Sequence, residues 1–347
     1  MSDRTLPEES TSGSHVLVNL INGYRVTQAI YVITTLGIPD MLGHASRDSD
    51  DLAAATGTDA NALYRVLRAL ASVGLLCENQ DREFGLTTLG ACLRSSVPGS
   101  LNAWAKFVAR PAMWESWGAL LHTVQTGENA FRHVHGKDTW QYRTEHAEEA
   151  AVFDTAMREN TARSIGPLLA AYDFSRFRHI VDVGGGDGTL LAGILSSCPD
   201  ATGTLLDLPH VVAKAQSVFA YAGVASRASV IAGSFLEHVP AGADAYLLKH
   251  VLHDWEDADA VAILRCCRRA AGENSTLVLI ERLVQSNQDR DTAFSDLNML
   301  VNAGGRERTR EEFANLLSSS AFQVTSVLPL HGSHFAIEAS PMGHLEA

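Results

Sequence analysis

Long apolar runs are missing from this chain of 347 residues. No stretch approaches the roughly 18 consecutive apolar residues that a membrane-spanning helix requires, so no membrane partner is expected. Positive charge is scarce, with 27 Lys and Arg against 40 Asp and Glu and a net charge of -13. So acidic a chain is repelled by nucleic-acid phosphates and by anionic lipid unless its basic residues cluster, and no basic block is present. Cysteine is limited to Cys77, Cys92, Cys198, Cys266 and Cys267, an odd set without a C-x-x-C pair or a Cys/His cluster. Neither a disulfide framework nor structural zinc is supported, and a reducing, cytoplasmic setting is expected. Residues 1–14 are polar and carry Pro7 and Gly13. They lack the apolar core of a signal peptide and are expected to be disordered. No internal repeat is visible.

What is present fits a globular protein of two domains: 46% of residues are hydrophobic and 19% charged, enough to bury a full core. From Val16 to Leu36 apolar residues recur at helical spacing until Gly37-Ile38-Pro39 ends the run. Ser49-Asp50-Asp51 is expected to cap a short helix at Leu52–Ala55. Gly57-Thr58-Asp59 is a turn and a second cap, before a helix over Ala60–Val73 with Leu63, Val66, Leu67 and Leu70 on one face. A hairpin around Asn79-Gln80-Asp81 follows. Helix, turn, helix, hairpin is the outline of a winged helix, which elsewhere reads DNA. The candidate recognition helix carries only Arg65 and Arg68 as cations, so a structural or dimer-forming role is preferred over a DNA-binding regulator. Leu101 to Ala171 again reads helical, with a loop expected over Asn129–Lys137.

From Ile180 the pattern becomes strands alternating with helices. Strands are expected at His179–Val183, Gly203–Asp207, Ala228–Ile231, Ala245–Lys249 and Thr276–Ile280, which together imply a parallel sheet covered on both faces. A helix at Arg310–Leu317 and two strands, Phe322–Leu328 and His334–Glu338, close the chain and are expected to pair antiparallel at the sheet edge. The first strand runs into Gly184-Gly185-Gly186-Asp187-Gly188. Glycines there permit positive φ and close approach of a ligand to the backbone. Asp207 ends the second strand about 20 residues further on, where a carboxylate accepts from a ribose diol. The loop lacks the G-x-G-x-x-G spacing of a dinucleotide site. The pattern leans modestly toward S-adenosylmethionine and leaves NAD open.

Four motifs then occur in order: Val181-Asp182-Val183-Gly184-Gly185-Gly186, Asp207-Leu208-Pro209, Leu252-His253-Asp254-Trp255, and Gly305-Arg306-Glu307-Arg308-Thr309. With them the chain resembles, over nearly its whole length, the S-adenosylmethionine-dependent O-methyltransferases of the plant caffeate/flavonoid type, which include bacterial enzymes of secondary metabolism. The resemblance implies an α/β fold: a Rossmann-like class I methyltransferase domain, expected over 106–345, behind a mostly helical winged-helix dimerisation domain over 15–105 that forms a homodimer. It implies cofactor contacts from Gly184, Gly186, Asp207, Leu208, Gly233, Phe235 and Lys249. Ser234 stands where the family often has an aspartate beside the adenine; its hydroxyl is a weaker acceptor.

The resemblance also implies methylation of a hydroxyl on a small aromatic acceptor, yielding S-adenosylhomocysteine. A phenol is mostly protonated at neutral pH, and a histidine within reach assists attack by taking its proton. His253 lies just past a strand of cofactor contacts, where parallel sheets place their ligands, and is the expected base; His250 is expected to be structural. Glu281 and Glu307 are implied as the acids that orient the imidazole. Met157, Asn160, Asp254, Met299 and Asn302 are implied near the acceptor, with the two thioethers packing on a planar ring. No Asp/Asn cluster suggests Mg²⁺, and metal-independent catalysis is expected. A relative that keeps the cofactor yet performs a different reaction is the remaining alternative.

Overall fold

The computed structural model describes residues 13–79, 81–285 and 289–343. The chain divides into two compact units, Met1–Arg110 and Pro111–Ala347. Among the described residues no helix is long and apolar enough to cross a membrane.

In the first unit the expected Val16–Leu36 run is two helices, Gly13–Ile21 and Gly23–Thr35, broken at Asn22. The first buries nothing; Val16, Leu17, Val18, Leu20 and Ile21 are all exposed. Gly13 and Ser14 are thus helical rather than disordered, and residues 1–12 lie outside the described part. Asp48, not the Ser49-Asp50-Asp51 run, caps the next helix: its carboxylate accepts from the N–H of Asp50 and Asp51, so Ser49 already opens Ser49–Thr56. Asp59 caps Ala60–Ser72 as expected. Three short strands, β1 (Arg47–Asp48), β2 (Leu76–Glu78) and β3 (Glu83–Leu86), pair antiparallel in the order β1-β3-β2. Gln80, in the expected hairpin turn, lies outside the described residues. Ile33, Ile38, Leu52, Leu63, Leu67, Leu70 and Phe84 form the core of this unit.

The second unit opens with helices up to Ala147–Ala171 and continues with seven strands: β4 (His179–Val183), β5 (Thr202–Asp207), β6 (Ala228–Ala232), β7 (Ala245–Lys249), β8 (Thr276–Arg282), β9 (Phe322–Pro329) and β10 (His334–Pro341). Their order is β6-β5-β4-β7-β8-β10-β9. The first five are parallel, and β10 pairs antiparallel with both β8 and β9. Because β4, β7 and β8 are apolar on alternate sides, two separate cores form. Val181, Tyr246, Leu248, Leu277 and Leu279 face one; Ile180, Leu247, Val278 and Ile280 face the other.

The loop expected over Asn129–Lys137 is a helix, Ala130–His135. Its polar residues are the punctuation at its ends: Asn129 caps it by accepting from Arg132 N–H, and Gly136 closes it in the left-handed conformation. The helix Arg290–Asn298 and the π-helical turn Met299–Ala303 have no counterpart in the sequence reading, since their apolar spacing is broken by Ser295, Asp296 and Asn298.

Gly188 holds φ at +84, and a Cβ there would lie 2.7 Å from the Phe219 ring. Gly188→Ala is therefore expected to destabilise the second unit by about 1–3 kcal/mol, read as a lower midpoint of thermal unfolding. An unchanged midpoint would show that the loop relaxes freely.

Candidate active site

The carboxyl ends of β4, β5, β6 and β7 meet where the chain crosses from β4 both ways along the sheet, the position at which open parallel sheets bind ligands. Gly184 leaves β4 at φ +70, and a Cβ on it would press Val251 Cγ2 at 3.0 Å and the Phe235 ring at 3.3 Å. The Asp207 carboxylate accepts from Gly186 N–H at 2.8 Å and Leu208 N–H at 2.7 Å, and its carbonyl accepts from Gly233 N–H. Gly184, Gly186, Asp207, Leu208, Gly233 and Phe235 are thus brought together at the carboxyl ends of β4, β5 and β6. Ser234 turns its hydroxyl onto its own loop, accepting from Leu236 N–H at 3.3 Å.

Beneath the loop Asp182 is buried, and neither of its carboxylate oxygens has a protein partner. Burial, and then the charge of Asp207, push its pKa up to about 7, with Lys249 opposing. Burial likewise raises Asp207 to about 6 and lowers Lys249 to about 8 against the pull of Glu281 and Asp182. Ionised groups so far from their ordinary values fit a site completed by a charged ligand.

After β7 the backbone reaches His250 at φ 54, an uncommon conformation for a histidine. Its ring is packed between those of His253 (5.3 Å between centroids) and His334 (4.8 Å). Burial, with Lys249 and His253 adding, keeps it neutral. The short turn Leu252–Asp254 then presents His253.

The imidazole sits among three carboxylates. Its Nδ1 is 3.1 Å from Glu307 Oε1 and 3.9 Å from Glu281 Oε2, and its Nε2 is 3.7 Å from Asp254 Oδ1. Glu307 alone is within hydrogen-bond distance. Glu281, fully buried, spends its other oxygen on the N–H groups of Val251 and Leu252 (3.1 and 2.9 Å), and so holds the turn as well as facing the ring. Burial works against charge on His253, but Asp254, Glu281 and Glu307 together outweigh it and raise its pKa to about 10. Burial raises Glu281 to about 7 against the attraction of His253. Glu307 is held below its ordinary range because its bond to His253 overcomes burial. Atoms of His253, Glu281 and Glu307 lie within 4.8 Å of one another, near enough also to hold a cation.

Several residues that build this arrangement escaped the sequence reading. Ser295 donates to Glu307 Oε1 at 2.7 Å, and Asp296 accepts from Glu307 N–H at 2.9 Å; neither carries a motif. Arg308, inside the Gly-Arg-Glu-Arg-Thr run, is fully buried. It donates to the carbonyls of Leu252 (2.8 Å) and Trp255 (2.7 Å) and to Asp257 (2.9 and 3.0 Å). Gly305 permits the same approach: a Cβ there would lie 2.1 Å from the His253 carbonyl. Trp140 stacks near Trp255 at 6.2 Å, and Arg143 lies over the Phe153 ring at 3.6 Å.

The turn Met299–Ala303, with Met299 and Asn302 buried, packs against the turn that bears His253. Asn302 donates to Asn298 Oδ1 at 2.7 Å, and its own carbonyl oxygen lacks a partner. Met157 and Asn160 are half-buried on the long helix Ala147–Ala171, where Arg163 donates to Asn160 at 3.1 Å. Among the described hydrogen bonds neither meets His253.

Comparison with known proteins agrees with this architecture. Residues 18–96 match an O-methyltransferase dimerisation domain and residues 117–323 an O-methyltransferase domain. The chain is 39% identical to phenazine O-methyltransferase PhzM of Lysobacter antibioticus, over 95% of this chain and 96% of that one. It is 38% identical to the mitomycin biosynthesis 6-O-methyltransferase of Streptomyces lavendulae, over 90% and 89%. The solved structure of NcsB1, an O-methyltransferase from neocarzinostatin biosynthesis in complex with S-adenosylmethionine and 2-hydroxy-5-methyl naphthoic acid, superposes with a TM-score of 0.79 at 33% identity, over 91% of this chain and 96% of that one. The aclacinomycin 10-hydroxylase RdmB of Streptomyces purpurascens is 34% identical, over 90% and 85%.

Arg308→Lys removes the planar fork that serves two carbonyls at once. Each buried carbonyl left unpaired costs about 1–3 kcal/mol. The variant should unfold at lower temperature and lose turnover while still binding S-adenosylhomocysteine in a calorimeter. Loss of binding together with turnover would mean that Arg308 supports the whole fold and not the His253 turn.

Proposed function

This chain belongs to the O-methyltransferase family, and we propose that it methylates a phenolic hydroxyl of a small aromatic or polyketide-like secondary metabolite, with His253 as the general base. The observation that carries the base assignment is the His253 Nδ1–Glu307 Oε1 contact at 3.1 Å. A carboxylate can only accept, so Nδ1 carries a proton, and once the ring is neutral its lone pair lies on Nε2, toward the acceptor.

The cofactor is S-adenosylmethionine. The residues fit it: the unpartnered Asp182 carboxylate suits an ammonium group, Asp207 a ribose diol, and the Gly184 backbone a close-lying ligand. Lys249 and the Gly233-Ser234-Phe235 loop complete that set in this reading. When bound, the cofactor supplies a methyl group on a sulfonium sulfur, open to in-line displacement.

The chain's part is to make the acceptor oxygen nucleophilic. A phenol has a pKa near 10, and His253 is raised to about 10. Proton transfer between them is close to balanced, and the share of rings free to take the proton grows as pH rises toward that value. Glu307 and Glu281 stabilise the imidazolium as it forms, and Asp254 stands beside Nε2. Met157, Asn160, Met299 and Asn302 are read as acceptor contacts. The exposed apolar helix Gly13–Ile21, beside the matched dimerisation domain, is the surface a second copy would cover in a homodimer. A cytoplasmic setting belongs to the same proposal, supported by the free cysteines, as do a helical domain over 15–105 and a catalytic domain over 106–345.

A second reading, in which this chain binds the cofactor without transferring its methyl, has one support, the 34% identity to a protein named as a hydroxylase. Incubation of phenolic and quinonoid acceptors with labelled S-adenosylmethionine decides between them, since only a methyltransferase moves label into product.

His253→Ala should cost on the order of 10² to 10⁴ in kcat/KM with affinity for S-adenosylhomocysteine kept; full activity would sink the mechanism. The pH dependence follows from the raised pKa. The ligand-free ring keeps its proton until pH approaches about 10, so kcat/KM should climb with pH over the range below. Glu307→Gln removes one of the charges that hold that proton, so the climb should move to lower pH while the plateau falls. A profile that does not move would detach Glu307 from the base.

A further inference from the structure

We propose that the corner between the helices Leu120–Thr126 and Ala130–His135 binds a divalent transition-metal ion of the zinc type through His122, Glu128 and His133. The local fold forces the three side chains together. Gly127 ends the first helix in the left-handed conformation, and Asn129 caps the second. Between them Thr126 Oγ1 accepts from Glu128 N–H at 3.1 Å and fixes that residue's backbone. The last turn of one helix and the first of the next then face each other across Glu128.

Three side chains able to bind a metal converge on one point. One oxygen, Glu128 Oε2, is approached by His122 Nε2 at 2.7 Å and by His133 Nδ1 at 3.6 Å. The two imidazoles lie face to face, 3.5 Å between centroids and 16° from parallel. One atom from each of the three residues lies within 4.8 Å of the others. Zinc bonds of about 2.0–2.1 Å at tetrahedral angles set ligand atoms about 3.3 Å apart, and the two distances to Glu128 bracket that value. The side chains are 29%, 47% and 45% exposed for His122, Glu128 and His133, and binding one ion requires a ring to turn out of the stack so that both in-plane lone pairs meet at it. Two imidazoles and a carboxylate suit zinc, cobalt or nickel better than the oxygen-seeking Mg²⁺ or Ca²⁺.

The corner is tied to the candidate active site. Asn129 Nδ2 donates to the carbonyl of Leu300 at 2.8 Å, inside the turn that carries Met299 and Asn302. An ion held by the neighbouring Glu128 would brace that turn. This mixed His/Glu set, split across two helices, is neither a Cys/His cluster nor a group of Asp and Asn, and so shows no motif in the sequence.

Full-length, tag-free protein treated with EDTA and titrated with Co²⁺ tests the proposal. One equivalent should bind with visible d–d absorption and no thiolate charge-transfer band, and Zn²⁺ should displace it and raise the unfolding midpoint. His122→Ala/His133→Ala should weaken Co²⁺ binding at least tenfold while unfolding at the wild-type temperature in EDTA, and Glu128→Gln should weaken it separately. Equal binding by wild type and the double variant overturns the proposal, whether the ion then sits on cysteines or on His253, Glu281 and Glu307. Absence of the Co²⁺ band in the wild-type protein overturns it as well.

Discussion

The buried guanidinium of Arg308 is the contact on which the candidate active site rests. It spans the turn from Leu252 to Asp257, donating to two carbonyls that face away from solvent and to one carboxylate. A turn of this kind leaves carbonyls without helical partners, and burying them unpaired would be expensive. Arg308 removes that cost and, being adjacent to Glu307, brings the acid to the ring in the same step. Thr309 then caps the following helix through a reciprocal pair with Glu312. Three successive residues thus orient the imidazole, lock its turn and start a helix.

The electrostatics follow from that placement. Three carboxylates around one largely buried imidazole repel each other, and the proton on the ring is what holds them together. Glu307 keeps its charge through its direct bond, whereas Glu281, farther from the ring, is raised toward neutrality by burial. Glu281 serves the backbone of the turn with one oxygen and the field at the ring with the other. His250 fills the space behind His253 as a neutral ring, at the cost of a strained backbone. A charged side chain in its place would compete with Lys249 for the same acids.

The loop after β4 obeys a different constraint. Glycine at 184, 186 and 188 is demanded by positive φ, and at 184 and 188 also by the lack of room for a Cβ. Asp182 beneath it and Lys249 at the end of β7 are both shifted from their ordinary values by burial.

Much of this was legible in the chain. The alternation of apolar strands and helices, the glycine loop with Asp207 after it, and the ordered motifs through Glu307 determined the fold class, the family and most candidate residues, because each is a local pattern that any fold of that class must display. The loop expected at Asn129–Lys137 proved helical because the caps Asn129 and Gly136, with Arg132, His133 and His135, mask three apolar positions in a short helix, and the single run expected over Val16–Leu36 is broken at Asn22 because an exposed apolar helix looks in sequence like a buried one. Tertiary structure alone decided that Ser295 and Asp296 support Glu307, that Arg308 locks the His253 turn, that Glu281 shares itself between backbone and ring, and that His122 and His133 meet over Glu128. Those depend on which residues distant in the chain come within about 3 Å, and hydrogen-bond geometry at that range leaves no trace in spacing or composition.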